Sequence, residues 1–138
     1  MSIDLYMEDE EGTSQGEVLD PDDLTGRVVA LAAHERTVCL RFIDPYGNTV
    51  FNQFQIPALI RELEAAREHV TDERVVRLGQ SELESAREAE WAPTLVHAIE
   101  GRNQRMRAED ILAHLERLLE LARQARGKKH TYLKFYGD

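Results

Sequence analysis

The single cysteine and the histidines are the side chains best suited to nucleophilic or metal chemistry. Cys39 lies between Val38 and Leu40, and a thiol becomes nucleophilic only beside a positive charge or a helix N-terminus. Because free cysteines are among the most buried residue types, we expect Cys39 to be packed rather than reactive. Asp110 and His114 lie one helical turn apart, but two ligands are too few for a metal site. We expect them to form a surface pair, and we predict neither a metal nor a cofactor.

A second group of polar side chains surrounds residues 44–47, where the sequence Asp-Pro-Tyr-Gly fits a type I turn. An acid, a phenol and two amides could form a polar pocket beside a sheet: Asp44, Tyr46, Asn48 and Asn52. In the other interpretation, which we favour, these groups hydrogen-bond the backbone of their own turns. The pocket is the site of our alternative function, a small enzyme or ligand-binding domain.

The net charge of -9 is concentrated at the N-terminus. Residues 1–26 hold nine acids and no Lys or Arg, whereas the remainder holds 17 acids and 17 bases. An acidic segment, at about 8–26, would repel nucleic acid and attract a basic partner, although a solvated acidic loop has the same composition. The predicted partner-binding residues are eight acids and three tyrosines: Glu8, Asp9, Glu10, Glu11, Glu17, Asp20, Asp22, Asp23, Tyr6, Tyr132 and Tyr136.

A basic cluster lies at the C-terminal end of the last predicted helix, and its members are Arg123, Arg126, Lys128, Lys129 and His130. Positive charge is favourable at a helix C-terminus, which is sufficient to explain it. The alternative is that the cluster docks the chain's own acidic segment. Since it lacks a wider basic face, we predict no nucleic-acid binding.

Motifs that would specify an enzyme are missing. The chain has no Gly-rich phosphate-binding loop, no nucleophile elbow, no paired C-x-x-C and no H-E-x-x-H. No run approaches the roughly 20 apolar residues of a membrane span, and the first residues lack the pattern of a signal peptide. A single cysteine fits a reducing compartment. We therefore expect a cytoplasmic, membrane-free protein with one domain over residues 1–138.

Period-two alternation predicts strands at both ends of the chain, over 2–9 and 131–137. A central hairpin is predicted from strands 37–43 and 48–54, joined by the 44–47 turn. Its pairing places one face in the core: Val38, Leu40, Phe42, Val50, Asn52 and Phe54. The polar stretch 10–17 is predicted to be a loop.

Apolar stripes with helical spacing predict helices over 56–70 and about 107–126. Residues 27–33 fit a helix or a strand, and we favour the helix. Ser81 and Glu84 have capping-box spacing, which predicts a helix from 81 to about Trp91. Pro93 should break it, and a short helix should continue to Gly101.

This order of elements predicts an α+β fold. We expect a small antiparallel or mixed sheet, made of the N-terminal strand, the central hairpin and the C-terminal strand. The outer faces of the strands are mixed in character, so the helices should pack mainly on one face.

The stretches "IDPYGNTVFNQ" and "YLKFYGD" resemble segments of small uncharacterised bacterial proteins, including the kind encoded beside secreted toxins as immunity partners. The resemblance implies a non-enzymatic protein that binds and neutralises a bacterial toxin. In that function an acidic face would match a basic toxin domain, steer its approach and cover its active site.

Overall fold

The computed structural model describes residues 2–138. Its elements are, in chain order, β1 (Ile3–Asp9), β2 (Ser14–Val18), α1 (Leu24–Ala32), β3 (Asn48–Phe51), α2 (Ile56–Ala66), α3 (Asp72–Glu88), α4 (Pro93–Arg105), α5 (Ala108–Ala125) and β4 (Thr131–Gly137). Short 3-10 turns occupy Leu40–Phe42 and Arg67–His69. The protein therefore has the predicted α+β fold.

The four strands form one antiparallel sheet in the order β2-β1-β4-β3. The two terminal strands are its central pair, with a register that runs from Ile3↔Gly137 to Asp9↔Thr131. The alternation predicted for β1 and β4 is confirmed, because Leu5 and Phe135 are fully buried whereas their sequence neighbours are not. The sheet thus has an inner face toward the core and an outer face.

The inner face is covered by helices, chiefly by α5, which packs against β1, β2 and β4. The predicted apolar stripe of α5 is buried, and so is that of α2. Helices α1 and α2 pack against α5, whereas α3 and α4 pair mainly with each other. Leu118 and Leu63, together with Leu133 from the sheet, belong to a single hydrophobic core.

The predicted central hairpin does not form. Its first arm is a loop with a 3-10 turn, in which the N–H groups of Val38, Cys39 and Leu40 donate to the carboxylate of Glu62 on α2 at 2.8, 3.1 and 2.9 Å. Its second arm is β3, which pairs with β4. A side chain thus satisfies the donors that a hairpin partner would have satisfied.

Most of the side chains that were predicted to face the core of that hairpin are exposed instead. Val38, Phe42, Val50 and Phe54 are exposed, and so is Asn52, while Leu40 alone of this face is buried. The buried residues here are Cys39, Ile43 and Phe51, which lie on the opposite face of the predicted strands. In β3 the side opposite to the predicted one faces the core, with Phe51 buried and Val50 exposed, whereas residues 38–43 form no strand and so have no alternating faces.

Three further elements differ from expectation. Residues 14–18 form β2 on the free edge of β1, so the predicted loop over 10–17 is wrong there. Helix α3 begins after Thr71, whose side chain accepts from the N–H of Arg74, and Ser81 lies inside it rather than at its start. Helix α4 continues to Arg105. Residues 27–32 are helical, as favoured.

Candidate functional site

The outer face of the sheet carries a row of side chains that crosses all four strands. Tyr6 lies opposite Glu17 on β2 and Lys134 on β4, and Lys134 lies opposite Val50 on β3. Glu17 and Val50 are exposed, while Tyr6 and Lys134 are half-buried. Because the helices lie on the inner face, this row is accessible to a partner.

Two more tyrosines complete this face. Tyr136 lies between Asp4 and Asn48 in the next row, and its ring meets Tyr6 edge to face with centroids 5.2 Å apart. Tyr132 lies opposite Glu8. We call the set Tyr6, Tyr132, Lys134, Tyr136 and Val50 the tyrosine face. The three tyrosines singled out from the sequence are thus brought together.

Glu8 holds the tyrosine face in place. Its carboxylate accepts a 2.6 Å hydrogen bond from the hydroxyl of Tyr136 and forms a 3.1 Å ion pair with Lys134. This hydrogen bond raises the pKa of Tyr136 to about 12, with burial a lesser cause. Glu8 is itself buried, so it orients the tyrosine and lysine rather than presenting charge to a partner.

The electrostatic environment of the tyrosine face is negative near Tyr6. Burial raises the pKa of this phenol, and the carboxylates of Glu17, Asp4 and Glu8 raise it further, in that order. Since the charge of Lys134 is paired with Glu8, it offsets only part of this field.

The eight acids predicted to bind a partner fall into two groups. Four are exposed: Glu10, Glu11, Glu17 and Asp22. The others are withdrawn to different degrees: Glu8, Asp9, Asp20 and Asp23. Asp9 accepts from the N–H groups of Glu11 and Thr13 in the β1–β2 turn, and Asp23 lies 3.8 Å from Arg102. The surface charge is therefore concentrated around the β1–β2 turn and β2.

Asp20 has a structural role that the charge count does not reveal. Its buried carboxylate accepts from the N–H groups of Ile3, Leu24 and Thr25 at 3.1, 2.6 and 3.2 Å. Asp23, at the N-cap position, makes no side-chain cap, so Asp20 satisfies the first donors of α1 in its place. It is not available to a partner.

The basic cluster makes one contact with the acidic segment, a 2.5 Å hydrogen bond between His130 and Glu10. Arg123 lies 3.9 Å from Glu64 instead. Lys128 and Lys129 form no ion pair with any residue in 2–138. Docking of the acidic segment by the cluster is thus limited to one exposed pair.

Two of the four polar side chains of the predicted pocket, Asp44 and Asn52, hydrogen-bond the backbone of their own turns. Asp44 accepts from the N–H of Tyr46 at 2.8 Å, and Asn52 accepts from the N–H groups of Phe54 and Gln55 just before α2. None of the four side chains lines the cavities of about 960 and 210 Å³. The hydrogen bonds of Asp44 and Asn52 are those expected in the structural interpretation.

Exposed apolar side chains flank this segment, and Val38, Phe42 and Phe54 were missed because they were assigned to the core face of the predicted hairpin. The most exposed are Phe54 at 94%, Tyr46 at 73%, Val38 at 61% and Phe42 at 59%. A β-turn is present at residues 44–47, since the N–H of Gly47 points to the carbonyl of Asp44 at 3.5 Å.

The larger cavity is a groove of about 960 Å³ between α4 on one side and α5 with the start of α1 on the other. We call it the α4–α5 groove. Trp91, Leu95 and Ile99 line its α4 wall. Their spacing of four residues is the sequence pattern from which this apolar stripe could have been predicted. Asp110 and Arg117 line the α5 wall.

His114 is buried, so the predicted surface pair with Asp110 is wrong. Its Nε2 atom lies 2.7 Å from the hydroxyl of Thr25 and 3.7 Å from the carboxylate of Asp20. Burial lowers the pKa of His114, and the nearby Asp20 only partly opposes this. Arg117 can only donate, so Nδ1, at 3.4 Å from it, is the accepting nitrogen.

Cys39 is buried, and burial together with Glu62 raises the pKa of its thiol to about 11. A thiol in that state is protonated and unreactive, which agrees with a packing role. Within residues 2–138, no three His, Cys, Asp or Glu side chains are grouped so that they could hold a metal ion.

A second cavity of about 210 Å³ lies between the 34–38 loop and α2, with His34 and His69 among its lining residues. Their ring centroids are 6.2 Å apart.

In the part of the chain that the structure describes, no helix has the length and apolarity needed to span a membrane. No protein-family model matches this chain, and no curated protein or solved structure matches it either.

Proposed function

We propose that this protein works by binding another protein through the tyrosine face. One observation carries the proposal: the row Glu17, Tyr6, Lys134 and Val50 crosses all four strands on the face that the helices leave free. Aromatic side chains at the centre of a patch with a polar rim are the usual anchors of protein interfaces.

The tyrosine face is well ordered before any partner arrives. Tyr136 is fixed by Glu8, Tyr6 is packed against Tyr136, and Lys134 is paired with Glu8. Little side-chain entropy remains to be lost on association, which favours affinity.

The rim beside the tyrosine face is acidic, with Glu10, Glu11 and Glu17 exposed around the β1–β2 turn and β2. This charge favours a partner with a basic surface and would accelerate its approach. The most specific form of the proposal is the toxin-immunity function that the resemblance implies, in the cytoplasm, with the tyrosine face covering a basic toxin domain. The alternative of a small-molecule site around Asp44 to Asn52 has no specific observation in its favour.

The test uses the product of the adjacent gene in the native host, immobilised for binding measurements. The doubly substituted variant Tyr6→Ala/Tyr132→Ala should bind at least about tenfold more weakly, a loss of about 1.4 kcal/mol, because two anchors are removed. Tyr136 is left unchanged because it also satisfies Glu8. Tyr46→Ala is the matched control, since this exposed tyrosine lies at the turn and outside the tyrosine face.

Association rates measured at low salt and at about 0.5 M salt test the contribution of the acidic rim, because salt screens exposed charges. We expect a marked decrease at high salt and a smaller salt effect for Glu10→Gln/Glu11→Gln/Glu17→Gln. If the double tyrosine variant binds as tightly as the wild type, the tyrosine face is not the interface. If the rate does not depend on salt, acidic steering is wrong.

A further inference from the structure

Helix α4 is the least covered element of the fold. None of its 13 residues is buried, although it carries Leu95, Val96 and Ile99. Leu95 is 55% exposed, and Trp91, just before the helix, is 52% exposed. Since α4 packs chiefly on α3, the stripe of Trp91, Leu95 and Ile99 lines the α4–α5 groove without a partner of its own. Covering this stripe would stabilise the helix by apolar burial.

The opposite wall of the groove has a charge pattern that is complementary to itself. Asp110, Ala113 and Arg117 lie three and four residues apart, so they share one side of α5, and all three are exposed. An acid and a base thus flank a small residue at nearly equal distances. If an identical helix lies antiparallel across Ala113, its Arg117 meets Asp110 and its Asp110 meets Arg117.

The two charges are available for such a contact. Among residues 2–138, no basic side chain lies within ion-pair distance of Asp110, and no acid lies within that distance of Arg117. The one polar contact of the Arg117 guanidinium is the long, 3.4 Å approach to His114. The small side chain of Ala113 between them permits close approach of two helices.

We infer that the α4–α5 groove is occupied by a second copy of this chain. In the resulting two-fold dimer, α5 lies antiparallel to its counterpart, and each α4 covers part of the other protomer with Trp91 and Leu95. Two-fold contacts are the most common mode of self-association, and here both Asp110–Arg117 pairs form by symmetry. The tyrosine face does not line the groove, so it stays free in the dimer.

The mass in solution is the first measurement. Sedimentation equilibrium on the wild type should give twice the 15.8 kDa mass of the chain. Leu95→Glu should give the monomer, because it places charge in the apolar contact. Val76→Glu is the matched control, since Val76 is a 59% exposed apolar residue on α3 that does not line the groove, and it should remain dimeric.

Charge reversal tests the antiparallel arrangement itself. Asp110→Arg and Arg117→Asp should each weaken dimerisation at least about tenfold, because each creates two like-charge contacts. Mixing the two variants should restore a dimer, since every contact between them is again between opposite charges. This restoration also shows that both variants are folded.

Three results would overturn the inference. They are a wild type that stays monomeric up to about millimolar concentration, single reversals that dimerise as tightly as the wild type, and mixed variants that do not associate. A monomer that instead captures an amphipathic helix of the binding partner in this groove would also refute the second copy as its occupant.

Discussion

Two carboxylates organise two different parts of the molecule by the same chemistry. Asp20 accepts three backbone N–H groups where β1 and α1 begin, and Glu62 accepts three from residues 38–40. Asp20 is fully buried, whereas Glu62 is half-buried and the loop that it holds has an exposed edge. The contribution of a carboxylate to folding stability thus depends on the backbone donors around it and on their exposure to water. It does not depend on the net charge of the segment that carries it.

The largest effect should follow removal of Asp20. Asp20→Ala leaves three buried N–H groups without their acceptor. Each unsatisfied group costs about 1–3 kcal/mol, and partial relaxation recovers some of this loss. We therefore expect the free energy of unfolding to fall by about 3–5 kcal/mol. Urea denaturation measures the change. Asp22→Ala, an exposed acid two residues away, should lie within about 0.5 kcal/mol of the wild type. Equal losses in both variants would contradict a special role for Asp20.

A smaller effect should follow removal of Glu62. We expect Glu62→Ala to cost about 2 kcal/mol, because water can reach part of the 38–40 backbone once the carboxylate is absent. Amide exchange at Cys39 should accelerate, and the thiol should become more reactive toward a disulfide reagent, since Glu62 contributes to its raised pKa. Glu64→Ala, on the exposed side of the same helix, is the control. An unreactive thiol in Glu62→Ala would show that the loop is held by packing alone.

The smallest effect concerns the pH dependence of stability that comes from His114, the buried histidine beside Asp20. Burial lowers the pKa of His114 below its ordinary value of 6.5, so the unfolded chain binds a proton more readily than the folded protein does. The contribution of His114 to the free energy of unfolding is therefore fully present above about pH 6.5 and is lost as the pH falls below that value. The loss is at most about 1.4 kcal/mol per pH unit, and it ends at the pH at which the folded protein also takes up the proton.

Unfolding free energies between about pH 5 and 8 test this dependence. His114→Gln should remove that part of the pH dependence, whereas His97→Gln, at an exposed histidine on α4, should keep it. An unchanged slope in His114→Gln would mean that other groups produce the decline at low pH.

The parts of the fold that were predicted correctly depend on local periodicity. The alternation of β1 and β4 and the stripes of α2 and α5 each record which side of an element is apolar. The wrong parts depend on which segment supplies a partner. Residues 37–43 have the composition of a strand, yet Glu62 satisfies their N–H groups from 22 to 24 residues away.

The candidate site divides in the same way. The tyrosines of the outer face were identified from the alternation of the terminal strands. By contrast, the acidic segment was treated as one surface, although Glu8 and Asp20 are buried. The α4–α5 groove was missed, because a stripe on one helix does not show whether a second helix covers it.

The amino-acid sequence by itself determined the elements with strong periodicity, their apolar sides and the concentration of negative charge at the N-terminus. Only the tertiary structure decided that β3 pairs with β4, that His114 lies beside Thr25 across 89 residues, and which acids reach the surface. The physical reason is that periodicity is a property of neighbouring residues. A hydrogen-bond partner or a covering helix is brought from elsewhere in the chain when the core forms.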